Sequence, residues 1–297
     1  MELINKCLKQ IKLNIRKYPY IVKQYRSIRD LIGLLKKEKL SIYGFLWKGN
    51  KFVLDGSFEP TEIKIVSFFL KYIDLVINVG ANQGFYTCIS LSKSKKVFAF
   101  EPDPLNYKYL IENIKINNWS HNVEAYPLAV SNKNGLLKLY GNSTAASLIP
   151  GWGGTSTDSY KLIPSIKLDN LIFDQITNKS ILIIVDIEGA EKSMLEGAQK
   201  LLNLRIKPIW LIEISIDEHQ PKDTRINPDL IKTFRTFLNN NYKAYSADKN
   251  ITEIKIDQIQ KIVTKQKNSL KFHNFLFLDE SYPKEVLEKL RNSLISH

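Results

Sequence analysis

Three short segments carry residues whose type and spacing could do chemistry. The first is Asn78-Val79-Gly80-Ala81-Asn82-Gln83-Gly84, lying between an apolar run and a helical pattern. Gly80 and Gly84 would let backbone approach a ligand closely, and a helix N-terminus favours electron-rich groups. Asn82 stands where a dinucleotide fingerprint needs its second glycine, and no third glycine follows, which argues against a pyrophosphate on this turn. The second is Glu101, which ends the next apolar run 17 residues after Gly84. A carboxylate there can accept hydrogen bonds from both hydroxyls of a ribose, as in dinucleotide folds. The third is Val185-Asp186-Ile187-Glu188-Gly189-Ala190-Glu191, again following an apolar run. Asp186 would face a crevice, whereas Glu191 suits the dipole in the first turn of a helix.

These segments need a scaffold, and the pattern supplies one. From about residue 72, short apolar runs alternate with helical periodicity, the mark of a parallel sheet covered on both faces. Strands are predicted at Asp74–Val79, Lys96–Glu101, Val123–Val130, Ile181–Ile187, Pro208–Ser215, Tyr242–Ser246 and Lys271–Asp279. Gly135–Tyr140 is expected as a short hairpin partner of the third of these. Asp103 and Pro104 should open one helix and Asn227-Pro228 another. Residues 141–164 are rich in Gly, Ser and Thr and are expected to form a long loop. In it, Trp152 would either stack on a sugar ring or anchor the loop.

Several segments in this order resemble the FkbM-type methyltransferase family: INVGANQGFYT, VFAFEPDPLNYKYLIENIKIN, NVEAYPLAVSNKNG, IKLDNL and IIVDIEGAEKSMLEGA. The resemblance covers about residues 60–215, and more loosely HNFLFLD near residue 276. It implies an α/β fold with a doubly wound, mostly parallel seven-stranded sheet, the Rossmann-like architecture of class I methyltransferases, with the last strand antiparallel. It also implies S-adenosyl-L-methionine as cofactor. By analogy Asn78, Gly80, Asn82 and Gly84 would hold its methionine end and Glu101 its ribose. Backbone at Leu128–Ser131, with Ala129 at its centre, would line the adenine, and Asp186 would face the reacting centre. The first strand usually ends in Asp in these proteins. Asn78 keeps that shape but gives up the charge.

The resemblance points to O-methylation, with a saccharide or glycosylated metabolite as acceptor. A hydroxyl must lose its proton to react, so a positioned base is expected. Asp186, Glu213 at the end of the fifth strand, and His219 just beyond it are the candidates. Asp186, Glu188 and Glu213 could hold a divalent metal, but their spacing does not demand one, and none is assigned. Two rivals stay open. A nucleic-acid methyltransferase would explain the net charge of +13. Against it, the strand end holds Asp186-Ile187-Glu188-Gly189 instead of Asn-Pro-Pro-aromatic, and 36 of the 43 basic residues are Lys. The other rival is a non-catalytic interaction protein on the same fold.

Residues 1–60 are expected to form a basic helical extension before a methyltransferase domain at 61–297. Residues 1–40 carry 11 Lys/Arg against three acids, on apolar stripes such as Leu3, Ile4, Cys7, Leu8, Ile11 and Ile15. Such a segment either lies on an anionic membrane surface or packs on the domain or on a twin subunit, and the second reading is preferred. No apolar window of transmembrane length and no signal-peptide pattern occurs, and Cys7 and Cys88 are the only cysteines. These features suit a soluble cytoplasmic protein.

Overall fold

The computed structural model describes residue 35, residues 37–142 and residues 145–295. The helices expected over residues 1–40 lie almost wholly outside the described residues. The described chain opens with a two-residue hairpin, β1 (Lys39–Leu40) and β2 (Leu46–Trp47), then α1 (Pro60–Phe69). Strands and helices alternate next: β3 (Leu75–Val79), α2 (Phe85–Ser92), β4 (Lys96–Phe100), α3 (Pro104–Ile116) and β5 (Val123–Tyr126). Three strands follow, β6 (Ala129–Val130), β7 (Gly135–Tyr140) and β8 (Tyr160–Ile166), with short helices α4 (Leu168–Leu171) and α5 (Phe173–Ile176). Alternation resumes with β9 (Ile181–Val185), α6 (Glu191–Glu196), α7 (Gln199–Leu202), β10 (Ile209–Glu213) and α8 (Leu230–Leu238). The chain closes with β11 (Tyr242–Ser246), β12 (Glu253–Ile254), α9 (Ile256–Lys265), β13 (Asn274–Asp279) and α10 (Lys284–Ile295).

The main sheet runs β12-β11-β13-β10-β9-β3-β4-β5. The five strands from β10 to β5 are mutually parallel, and β13 lies antiparallel to both its neighbours. The fold is therefore the expected doubly wound, Rossmann-like α/β sheet with eight strands instead of seven. The addition is β12, a two-residue edge paired with β11. All five residues of β3 and of β9 are buried because helices cover both faces. Their side chains alternate between two cores. Ile77, Val79, Ile183 and Val185 join α6 and α8 on one face, and Val76, Leu182 and Ile184 join α1, α2 and α10 on the other. Chain order reverses between β3 and β9, and ligands in such sheets bind at the carboxyl edge beside that reversal.

Three local expectations change. The predicted strand Val123–Val130 is two strands separated by Pro127 and Leu128: β5 extends the main sheet and β6 leaves it. β7 is paired antiparallel with β8, so part of the expected loop is a seven-residue strand. Pro164 fits there because β6 reaches only Ser165 and Ile166, leaving β8 one neighbour at that point. Asn227 precedes the helix it was expected to cap: Asp229 is the N-cap of α8, and the Asn227 Oδ1 accepts from its backbone N–H.

Residues 41–58 are seated on the domain. Phe45, Trp47 and Val53 are buried in the same core as Phe85 and Ile114. Asn113 of α3 and Asn117, its C-cap, clamp the strand in place. Asn117 exchanges hydrogen bonds with the Leu46 backbone and Asn113 with that of Lys48, all at 2.8–2.9 Å.

Candidate functional site

The turn after β3 is shaped first by protein contacts. Gly80 adopts φ +80°, and a Cβ there would stand 1.7 Å from the carbonyl oxygen of Asp186. Gly84, at φ +93°, would place a Cβ 2.7 Å from Leu110 of α3. Asn78 is buried, and its Nδ2 donates to Thr87 Oγ1 at 3.0 Å. Asn78 and Gly84 thus hold the turn together and do not line the cavity that Gly80 and Asn82 border.

That cavity opens at the carboxyl ends of β3, β4 and β9. It is bordered by Glu101 and Asn106, by Leu128 and Ala129, by Leu139, Ala146 and Leu148, and by Asp186 and Glu188. Glu101 is buried and held by two backbone donors: Asn82 N–H to Oε2 at 2.7 Å and Asp103 N–H to Oε1 at 2.8 Å. Burial pushes its carboxyl up to about 7, while those donors pull the other way. The Asn106 side chain donates a third hydrogen bond to this carboxylate, which leaves one acceptor position for a further donor. Asn82 Oδ1 and Asn106 Oδ1 are buried without a partner. Unsatisfied buried acceptors beside a cavity are what a hydrogen-bond-donating ligand would complete. The wall is fixed by Asp103, which caps α3 as the sequence predicts and takes an ion pair from Lys161 of β8 at 2.6 Å.

The carboxyl ends of β9 and β10 are acidic. Val79, Val185 and Ile212 are level in the parallel register, so Gly80, Asp186 and Glu213 follow side by side. Asp186 N–H donates to Val79 O at 3.0 Å. Burial, then the charge of Glu213, raises the Asp186 carboxyl well above the usual carboxylate range. Burial and then Glu188 and Glu59 push Glu213 up to about 8. Glu59, which precedes α1, went unnoticed in the sequence because nothing around it repeats a motif. It accepts a hydrogen bond from Tyr86 Oη and is pushed up to about 7, mainly by burial. Glu191 is buried at the start of α6, where it accepts from Gly189 N–H at 2.9 Å.

Trp152 is an anchor. It is 2% exposed, its indole donates to Glu188 Oε2 at 2.7 Å, and its ring fills the space a Gly189 side chain would need. Ser147 Oγ donates to Glu188 O at 2.6 Å, so the loop over the cavity is tied to the turn after β9 at two points. His219 stands at the rim with its side chain 58% exposed and its Nδ1 3.5 Å from Glu188 Oε2. Among the described residues no three His, Cys, Asp or Glu side chains converge as a metal site would require. No described helix is long and apolar enough to cross a membrane.

The family model of the methyltransferase FkbM domain matches residues 78–244. The chain belongs to the FkbM methyltransferase family. The FkbM match runs from Asn78 to Ala244 within β11 and takes in every residue that borders the cavity. The hexuronic acid methyltransferase AglP of Haloferax volcanii is 30% identical over 150 residues, covering 50% of this chain and 59% of that protein. The uncharacterized protein MJ1452 of Methanocaldococcus jannaschii is 43% identical over 48 residues, covering 16% of this chain and 18% of that one. The chain therefore spans less than two thirds of either relative. The solved FkbM methyltransferase of Methylobacillus flagellatus KT is 19% identical, with a TM-score of 0.43, covering 69% of this chain and 43% of its own.

Proposed function

We propose that the chain is an S-adenosyl-L-methionine-dependent methyltransferase acting on a hydroxyl of a saccharide or glycosylated metabolite. The observation that carries this reading is one cavity bordered by the acceptors of Glu101, Asn82 and Asn106 and by the half-buried carboxylates of Asp186 and Glu188. The residues present fit the cofactor. Its ribose hydroxyls, adenine amino group and α-ammonium group are donors, and Glu101, Asn82 and Asn106 offer free acceptor positions. Its positive charge suits a cavity whose bordering ionisable residues are Glu101, Asp186 and Glu188. Once bound, the cofactor supplies an electrophilic methyl group on sulfur.

The chain does the rest. Glu101 orients the ribose, while Gly80 and Asn82 border the methionine end and Leu128 and Ala129 wall the adenine. The loop held by Trp152 excludes water. Asp186 or Glu213 takes the acceptor's proton, and their raised pKa brings a carboxylate near the operating pH of a general base. His219 is the alternative base at the rim. The saccharide acceptor is supported by the family and by the relative named for a hexuronic acid. Among the described residues no Lys or Arg borders the cavity, which favours a small acceptor over nucleic acid.

We place the extension at residues 1–60 and the catalytic domain at 61–297. Residues 1–40 are read as packing on the domain or on a twin subunit, in a cytoplasmic protein. Incubating the purified chain with methyl-labelled cofactor and a panel of glycan extracts tests the activity. Label transferred to a sugar hydroxyl is expected. Binding of the cofactor without transfer to any acceptor would favour a non-catalytic role.

A further inference from the structure

We propose that Lys161 is a positioning residue for the cofactor: from β8 it fixes Asp103 and offsets that carboxylate's charge beside Glu101, the group that receives the ribose. The inference deepens the methyltransferase reading above and rests on it.

The contacts form one chain. Lys161 Nζ lies 2.6 Å from Asp103 Oδ2, and the Asp103 side chain is 1% exposed. Asp103 Oδ1 accepts from Leu105 N–H at 3.0 Å and from Asn106 N–H at 3.2 Å. The Asp103 N–H donates to Glu101 Oε1 at 2.8 Å, and the Asn106 side chain donates to the same carboxylate. Asp103 therefore sets the place of both Glu101 and Asn106, which border the cavity. Lys161 acts from outside that cavity, but its cross-strand partner Leu139 borders it. The same lysine thus docks the β7–β8 pair against the loop after β4.

Charge gives this contact its consequence. The N–H groups of Asn82 and Asp103 and the Asn106 side chain fill three of roughly four acceptor positions on Glu101. The position left is the one open to a ribose hydroxyl, and a proton on Glu101 would occupy it. Protonation and ribose binding compete. Burial pushes Glu101 up to about 7, and the charge of Asp103 adds to the rise. An ammonium on Asp103 works against that addition.

The other ionisable groups around this loop are engaged elsewhere. Asp186 and Glu188 border the cavity, Tyr126 of β5 donates to Glu124, and Glu124 pairs with Lys96 of β4. Tyr107 of α3 donates to Ala125 O, and the turn at 78–84 carries no ionisable side chain. Among the described residues, Lys161 is the cation paired with the acid next to Glu101.

Calorimetric titration of S-adenosyl-L-methionine into the full chain at pH 6 and pH 8.5 tests the assignment. Wild type is measured beside Lys161→Met, Lys161→Arg and Asp103→Asn. Lys161→Met should bind about tenfold more weakly than wild type at pH 6, as for a carboxylate about tenfold harder to ionise, and within about twofold at pH 8.5. Lys161→Arg restores a cation and should bring the profile back. Asparagine keeps the α3 cap but removes the charge. Asp103→Asn should therefore shift the profile the other way, gaining about fivefold over wild type at pH 6. A lysine with a purely structural role gives the same deficit at both pH values, and that result, or no deficit, would overturn the proposal. Where Lys161→Met does not fold, Asp103→Asn decides, and a profile unmoved from wild type would overturn it. Failure of the wild-type chain to bind the cofactor at either pH would remove the methyltransferase reading, and the role of Lys161 with it.

Discussion

Asp186 and Glu213 stand side by side at the carboxyl edge of adjacent parallel strands, each one residue past the Val185–Ile212 pair. The sheet register brings two half-buried acids, 27 positions apart in sequence, side by side. Burial and repulsion raise both, Glu213 to about 8. Such a pair can take up a proton near neutral pH, which an exposed carboxylate cannot. Glu213→Gln should therefore lower kcat by about 10²–10⁴-fold and leave cofactor affinity within about threefold, because a base acts on the chemical step alone. Steady-state kinetics beside calorimetry check this. Full turnover in Glu213→Gln would move the proton to Asp186 or His219.

Stability should depend on pH in the opposite sense from a protein held by ionised carboxylates. Burial raises Glu59, Glu101 and Glu191 to about 7 and Glu213 to about 8, against an ordinary 4.5. A raised carboxyl favours the fold while protonated. That contribution is complete below about 4.5 and is lost as pH climbs through 7 and 8. The melting temperature of the ligand-free protein should fall between pH 6 and pH 8.5, while turnover rises over the same span as the base ionises. Thermal unfolding across that series decides it, and a rising melting temperature would contradict the burial of these groups.

Gly80 was legible as a ligand-approach glycine, and the structure gives it a prior task. Its backbone passes so close to Asp186 that a Cβ would fall 1.7 Å from the carbonyl oxygen, at φ +80°. Gly80→Ala should thus destabilise the protein itself, by more than about 5 °C in melting temperature for a strained, overpacked site in a domain of this size. Gly153→Ala, at φ +57° but with open space around it, is the control expected to cost much less. Equal melting temperatures for Gly80→Ala and wild type would refute the close approach.

The sequence made the parallel sheet legible because β3 and β9 are buried on both faces, and such strands appear as unbroken apolar runs. Asp103 with Pro104 was equally plain, since capping chemistry is local. What escaped depends on distant partners. β8 breaks strict alternation at Leu162-Ile163 and carries Pro164, so its pairing with β7 left no local mark. The helix α9 carries Ile256, Ile259, Ile262 and Val263 at helical spacing, a signal present in the chain but left unread. At the site, Gly80, Asn82, Glu101, Ala129 and Asp186 do border one cavity, while Asn78 and Gly84 sit behind it, held by Thr87 and Leu110. Glu59 and Asn106 could not have been picked out, because their roles arise only when α1 and α3 are folded against the sheet.

Residues 41–58 give the extension a checkable consequence. Because Phe45, Trp47 and Val53 are buried beside Phe85, a chain beginning at residue 60 would expose core. One beginning at Lys37 keeps those contacts and the β1–β2 pairing, and removes the apolar stripes that precede it. If those stripes pack on the domain or on a twin subunit, the shorter chain should melt lower or lose solubility, and the full chain should sediment little with anionic vesicles at physiological salt. Strong sedimentation that vanishes in an equally stable shorter chain would assign residues 1–40 to a membrane surface.

The central claim is that the cavity between Glu101 and Asp186 holds S-adenosyl-L-methionine, and calorimetric titration of the full chain measures it directly. One saturable site is predicted, with affinity reduced about 10–100-fold in Glu101→Gln, as expected for a lost charge-assisted hydrogen bond, and an unchanged circular dichroism spectrum. No binding by the full chain, or identical affinity in a folded Glu101→Gln variant, would contradict it.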